Sequence, residues 1–251
     1  MTDLEGAWGV DKKSMVSTDS PDYPTAVSNL LSDINAAIDG AFLGGATEVW
    51  VRDGHGGGNS IIWENLIPGV KLMQGASPRV RFAGLEGCDA VILLGYHAMA
   101  GTPQAVMEHS YSSKHIQNIW FNGEKIGEFG IDTMIAGEHG LPVIMTSGCD
   151  KLCKEAKDFS PEVVTCQVKE STAQQGCIML SPADSEKLLR EKTLEAIAAF
   201  KAGKIKPLTA ENVTFRVEFM ERMEPQAADL VAPRTVEVTD GSVEKAFYRM
   251  W

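Results

Sequence analysis

The sequence predicts an α/β fold, with a mainly parallel central sheet flanked by helices and a smaller C-terminal α/β portion. Three observations carry that expectation. Segments with helical spacing alternate with short strand-like runs, the order expected of strand–helix–strand units. The run Asp89-Ala90-Val91-Ile92-Leu93-Leu94 is almost wholly apolar, as a strand covered on both faces must be. The length of 251 residues suits one large α/β unit and buries a core without disulfide staples.

The elements follow in order. Ala26, Leu30, Leu31, Ile34, Ile38 and Phe42 recur at helical spacing and predict a helix over 23–42, stopped at Gly44-Gly45. Residues 48–52 read as a short strand closed by Asp53-Gly54, and 89–94 as a buried strand before Gly95. Asn122-Gly123 between 117–121 and 125–126 is a strong hairpin signal. A helix over 127–138, a strand over 141–145, a helix over 150–158, a strand over 163–168 and a long helix over 182–202 come next. Residues 213–220 alternate like a half-exposed strand, 236–238 suggest another, and 243–251 a terminal helix. Almost no residues precede Asp3, so the strand leading into it is expected to be clipped or unusually short.

Composition excludes several classes. With 34 acidic and 23 basic side chains the net charge is −11, which argues against a nucleic-acid binder. No run of about 18 apolar residues is present, so no membrane-spanning helix is expected. The opening MTDLEGAWGV lacks the basic start and apolar stretch of a signal peptide, and a cytoplasmic location is expected. The five cysteines do not read as a disulfide framework. Cys149 and Cys153 alone supply too few ligands for a structural zinc, so free buried thiols are expected.

Candidate ligands gather at strand ends, where α/β sheets bind their ligands. Asp3 and Glu5 alternate on an extended segment, so both carboxylates point to one side. His55 lies in Gly54-His55-Gly56-Gly57-Gly58, whose small residues permit close approach; as a phosphate loop this run lacks the third glycine. His97 and His109 bracket a loop containing Gly101-Thr102-Pro103, and Glu128 opens a predicted helix, where it also complements the dipole. Carboxylates with imidazoles suit zinc and other first-row divalent ions. His115 and His139 have no such context and read as surface or structural residues.

Taken together, these motifs resemble the DppA-like D-aminopeptidases, a family of zinc metallopeptidases. Asp3-Leu4-Glu5-Gly6 is similar to the family's opening D-x-E-G, Asp53-Gly54-His55 to its D-x-H, and Gly95-Tyr96-His97-Ala98 to its G-Y-H-A. Thr102-Pro103 with Met107-Glu108-His109-Ser110 resembles T-P…M-x-H-S, and Gly127-Glu128-Phe129-Gly130 resembles G-E-x-G. Val168-Lys169 and Leu180-Ser181-Pro182 echo later segments. The resemblance implies a two-zinc site of Asp3, Glu5, His55, His97 and Glu128, with Asp3 bridging and His109 as the catalytic histidine. The role of Lys169 stays open. Arg52 departs from the family's common asparagine, and the loop between His97 and His109 is one residue longer than expected.

The implied function is metal-assisted hydrolysis of the N-terminal amide bond of short peptides, including peptides with D-residues. Two ions about 3.5–4 Å apart polarise a carbonyl and lower the pKa of a water. The resemblance further implies a ring-shaped homo-oligomer. The chain reads as a single α/β unit over 1–251; if it divides, 1–145 is the metal-binding core and 146–251 a smaller C-terminal lobe. His109 is left as acid–base or nucleophile. Another metal-dependent amide or ester hydrolase on the same scaffold, or a non-enzymatic metal- or peptide-binding protein, are the rival readings.

Overall fold

Thr2 occupies a strand position between two parallel neighbours, and this places the whole N-terminal segment at the centre of a sheet. The computed structural model describes residues 1–75, 77, 80–222 and 229–250. Strand β1 (Val49–Arg52) pairs in parallel with β2 (Val70–Met73). Thr2 makes parallel bridges to Asp53, just past β1, and to Leu94 on β3 (Val91–Tyr96). The Thr2 amide donates to Arg52 O, while the Asp3 amide donates to Leu94 O. The expected first strand is therefore present as a single bridged residue.

Beyond β3 the sheet continues through β6 (Val143–Cys149), β7 (Val164–Ala173) and β8 (Gly176–Met179). The β3–β6 and β6–β7 pairs are parallel, and β8 closes the edge antiparallel to β7. Every residue of β6 is buried, as its apolar run requires. Helix α1 (Tyr23–Leu43) packs on α4 (Pro182–Lys201), and α2 (Glu128–Glu138) and α3 (Asp150–Phe159) also pack on one another. Ala26, Leu30, Ile34 and Ile38 of α1 are all buried, so the helical spacing marks the packed face.

A second sheet is antiparallel, in the order β10-β11-β9-β4-β5. The hairpin of β4 (Ile116–Phe121) and β5 (Glu124–Lys125) turns at Asn122 and Gly123, both with left-handed φ (49° and 92°). Strand β9 (Val213–Phe219) buries Val213, Phe215, Val217 and Phe219 in strict alternation. Strands β10 (Leu230–Ala232) and β11 (Thr235–Asp240) complete it, and α5 (Val243–Tyr248) packs against β9, β11 and α2. The alternation at 213–219 therefore marks membership of this antiparallel sheet. The terminal helix ends at Tyr248, earlier than expected, and Trp251 lies outside the described residues. Strands β2, β8 and β10 have no counterpart in the sequence reading, being only three or four residues long. No described helix is long and apolar enough to cross a membrane.

Candidate metal centre

Backbone contact between two chain segments builds the centre. The Gly6 amide donates to Gly95 O at 2.7 Å, and a Cβ at Gly6 would lie 1.7 Å from Tyr96 O. Gly95 has φ +75°, and a Cβ there would lie 2.2 Å from Asp3 O. Glycine at both positions lets residues 3–6 lie against the end of β3. The Asp3 carboxylate thereby reaches His97, the residue following β3, while that of Glu5 reaches His55.

Local hydrogen bonds orient each imidazole. His97 Nδ1 donates to Ala98 O at 3.0 Å, leaving Nε2 to face Asp3 Oδ2 at 3.4 Å and Glu128 Oε1 at 3.1 Å. Asp53, fully buried after β1, accepts the amides of His55 and Ser60, and Ser60 Oγ meets His55 Nδ1 at 3.1 Å. His55 Nε2 then sits 3.5 Å from Glu5 Oε1. Glu128 is the first residue of α2, where the helix dipole favours its charge, and Tyr111 donates its amide to Oε1 at 2.7 Å. His109 Nδ1 donates to Met107 O at 2.9 Å, and its ring stacks on His97 with centroids 3.9 Å apart. Gln104, Met107 and Tyr111 around it all adopt left-handed φ (55°, 49° and 56°), a clustering of backbone strain typical of functional loops.

Six side chains from five separate stretches of sequence thus converge. His97, His109 and Glu128 form one group with ligand atoms within 4.8 Å of one another, and Asp3, Glu5 and His55 form a second. The contact from His97 Nε2 to Asp3 Oδ2 joins them. Asp3 Oδ2, Glu5 Oε2 and His97 Nε2 are buried with no hydrogen-bond partner among the described residues. Buried lone pairs left unsatisfied are costly, and hard oxygen and imidazole donors suit divalent zinc, so the donor set fits such ions.

The charges reinforce one another. Burial, and then the charge of Glu5, push the Asp3 carboxyl well above the usual range. Burial opposes ionisation of Glu5 and Glu128 as well, but His55 outweighs it for Glu5 and His97 for Glu128, and both are held low, Glu128 at about 2. Burial would depress His55, yet Glu5 raises it to about 9. His109 alone among the site histidines is lowered, by burial and then by the charge of His97.

A family model described as D-aminopeptidase, in the peptidase M55 group, matches residues 1–250. The chain belongs to the D-aminopeptidase family. A D-aminopeptidase of Bacillus subtilis (strain 168) is 32% identical over 248 residues, spanning 96% of this chain and 88% of that protein. The solved structure of the Zn-dependent D-aminopeptidase DppA from Bacillus subtilis, a self-compartmentalizing protease, matches with a TM-score of 0.90. Its identity is 31%, and the match covers 99% of this chain and 93% of that one.

In this D-aminopeptidase family member the remaining histidines stand apart. His115 is exposed and lies at the start of β4, while His139 is exposed and bonds Glu244. Arg52, the departure from the family pattern, donates to Gly75 O and Ser77 Oγ and so ties the end of β1 to the segment after β2. All five cysteines are free thiols, with Cys149, Cys153 and Cys166 buried.

Supporting residues escaped the sequence reading. Asp132, one turn after Glu128 and fully buried, accepts both Nε and Nη2 of Arg81 at 2.8 Å. It also accepts the Tyr96 hydroxyl at 2.5 Å and the Tyr111 hydroxyl at 3.3 Å. Tyr96 precedes His97, and the Tyr111 amide holds Glu128, so Asp132 braces that half of the centre. The only local signal was the spacing of four from Glu128, which places both carboxylates on one helix face.

Proposed function

We propose that this protein is a zinc-dependent aminopeptidase that uses two ions per chain to hydrolyse the N-terminal amide bond of short peptides, including peptides with D-residues. The observation that carries the reading is that Asp3 Oδ2, Glu5 Oε2 and His97 Nε2 are buried without a hydrogen-bond partner among the described residues, within two adjoining groups of candidate ligands. In this reading Glu5 and His55 hold one ion, His97 and Glu128 the other, and Asp3 bridges them. When bound, the ions polarise the scissile carbonyl and lower the pKa of the attacking water.

His109 does the proton work. Its Nδ1 is committed to Met107 O, so Nε2 is the atom that faces the substrate. Burial, and then the charge of His97, lower its pKa and so favour the neutral ring, which accepts a proton from water and returns it to the leaving nitrogen. The decisive experiment is His109→Ala, assayed on a panel of L- and D-aminoacyl amides with metal analysis alongside. We expect full metal content and at least about a hundredfold loss of kcat. Loss of metal would make His109 a ligand, and an unchanged kcat would remove it from the mechanism.

The neighbour described as self-compartmentalizing supports a ring-shaped homo-oligomer. Five free thiols support a cytoplasmic location.

A further inference from the structure

Two buried charges outside the centre converge on the segment that carries Glu5. Lys169, on β7, is 2% exposed, and its ammonium donates to the backbone carbonyls of Glu5 (2.6 Å), Ala7 (2.9 Å) and Val10 (2.6 Å). Asp33, on α1, is 1% exposed and accepts the Trp8 amide at 2.8 Å. An ammonium has three protons, and here all three are spent on backbone carbonyls. Among the described residues it makes no salt bridge.

That arrangement is expensive if stability is its only purpose. Dehydrating an ammonium costs several kcal/mol, and an apolar side chain at a core position avoids the cost altogether. What a cation achieves here, and an apolar group does not, is to draw three carbonyls of one short segment onto a single point. Asp33 holds the same segment through the Trp8 amide proton. One of the three carbonyls belongs to Glu5, whose backbone is thereby fixed while its carboxylate faces His55. Asp3 is held separately, by its own amide on β3.

We infer that Lys169 and Asp33 are positioning residues that clamp residues 5–10 and so set the affinity of the ion held by Glu5 and His55, leaving the ion held by His97 and Glu128 largely untouched. The inference rests on the two-ion reading above.

The test is zinc titration against a chelating indicator, on wild-type protein and four variants, with circular dichroism to confirm folding. Wild type should show two binding steps. Lys169→Met and Asp33→Ala should each weaken one step at least tenfold and leave the other within about threefold. Asp33→Asn should remain within about threefold of wild type at both steps, because the amide oxygen still accepts the Trp8 N–H. Leu189→Ala, a buried substitution on α4, should lower thermal stability with both steps preserved. If Lys169→Met does not fold, Asp33→Ala against Asp33→Asn and Leu189→Ala decides the matter. The clamp is overturned if a folded Asp33→Ala protein keeps both steps, if it weakens both equally, or if Leu189→Ala loses the same step. Wild-type protein that takes up fewer than two ions overturns the two-ion reading and the clamp with it, and does so before any variant is made.

Discussion

Glu155 lies close to the centre without belonging to it. Its Oε2 accepts the Met99 amide at 2.8 Å, while Oε1 is buried with no hydrogen-bond partner among the described residues. Burial pushes its pKa to about 7 from an ordinary 4.5. Between those pH values the folded chain holds a proton that the unfolded chain has released. Stability contributed by this group therefore falls as pH rises from 4.5 to about 7, and stays low above that. Glu155→Gln keeps an acceptor for Met99 and cannot ionise. At equal zinc loading it should raise Tm at pH 8 by at least about 2–4 °C, the shift that about 1 kcal/mol gives in a chain of this size. The gain should vanish near pH 4.5, and thermal melts showing the same gain at both values would contradict the assignment. Residues like this one mark the limit of sequence reading. Asp3, Glu5, His55, His97, His109 and Glu128 announce themselves through short motifs with their glycines and tyrosines. Glu155 and Asp33 carry no local pattern, because their partners lie 56 and 25 residues away, and the role of Lys169 stays open in sequence because Glu5 lies 164 residues from it.

At the level of elements, the centre depends on how closely one segment can approach the end of β3. Gly6 has no room for a Cβ, since Tyr96 O would lie 1.7 Å from it, and that obstacle is backbone rather than a movable side chain. Gly6→Ala must push residues 3–6 off β3, which should cost at the upper end of the about 1–3 kcal/mol typical of overpacking. Zinc content should drop with it, because Asp3 and Glu5 move together. Denaturant unfolding and metal analysis check both effects, and a Gly6→Ala protein with full zinc would show that the contact is not what positions the carboxylates. The same contact explains what was legible about the elements. Helix α1, the α2 start, β9 and the Asn122-Gly123 turn follow from periodicity and turn chemistry, which act locally. The position of Thr2 between β1 and β3 does not, since one bridged residue has no period to read. Strand β8 escapes for a related reason: it leaves Ile178 61% exposed and shows no buried face.

Across the whole molecule, the centre joins parts of the chain that lie far apart in sequence. Asp3 and Glu5 follow the bridged residue Thr2, His55 follows β1, His97 follows β3, and Glu128 opens a helix that also packs on α5. Three carboxylates share this buried space in a chain that already carries a net charge of −11. Without ions, the burial of the Asp3 carboxyl, and then its repulsion by Glu5, oppose folding with both groups charged, as the raised Asp3 pKa expresses. Zinc binds the folded chain and not the unfolded one, so at free zinc a hundredfold above Kd each ion adds about 2.7 kcal/mol. For a chain of this length, chelation should lower Tm by roughly 5–11 °C per ion lost. Asp3→Asn separates attraction from repulsion. It removes one of the clustered charges, so the metal-free variant should melt above metal-free wild type. It also removes the carboxylate proposed to bridge the ions, so zinc should raise its Tm far less than it raises that of wild type. Differential scanning calorimetry of both proteins, with and without chelator, gives four melting temperatures whose order tests the centre. Equal zinc-induced shifts in the two proteins would mean that Asp3 holds neither ion, and no shift in wild type would mean that these six side chains hold none.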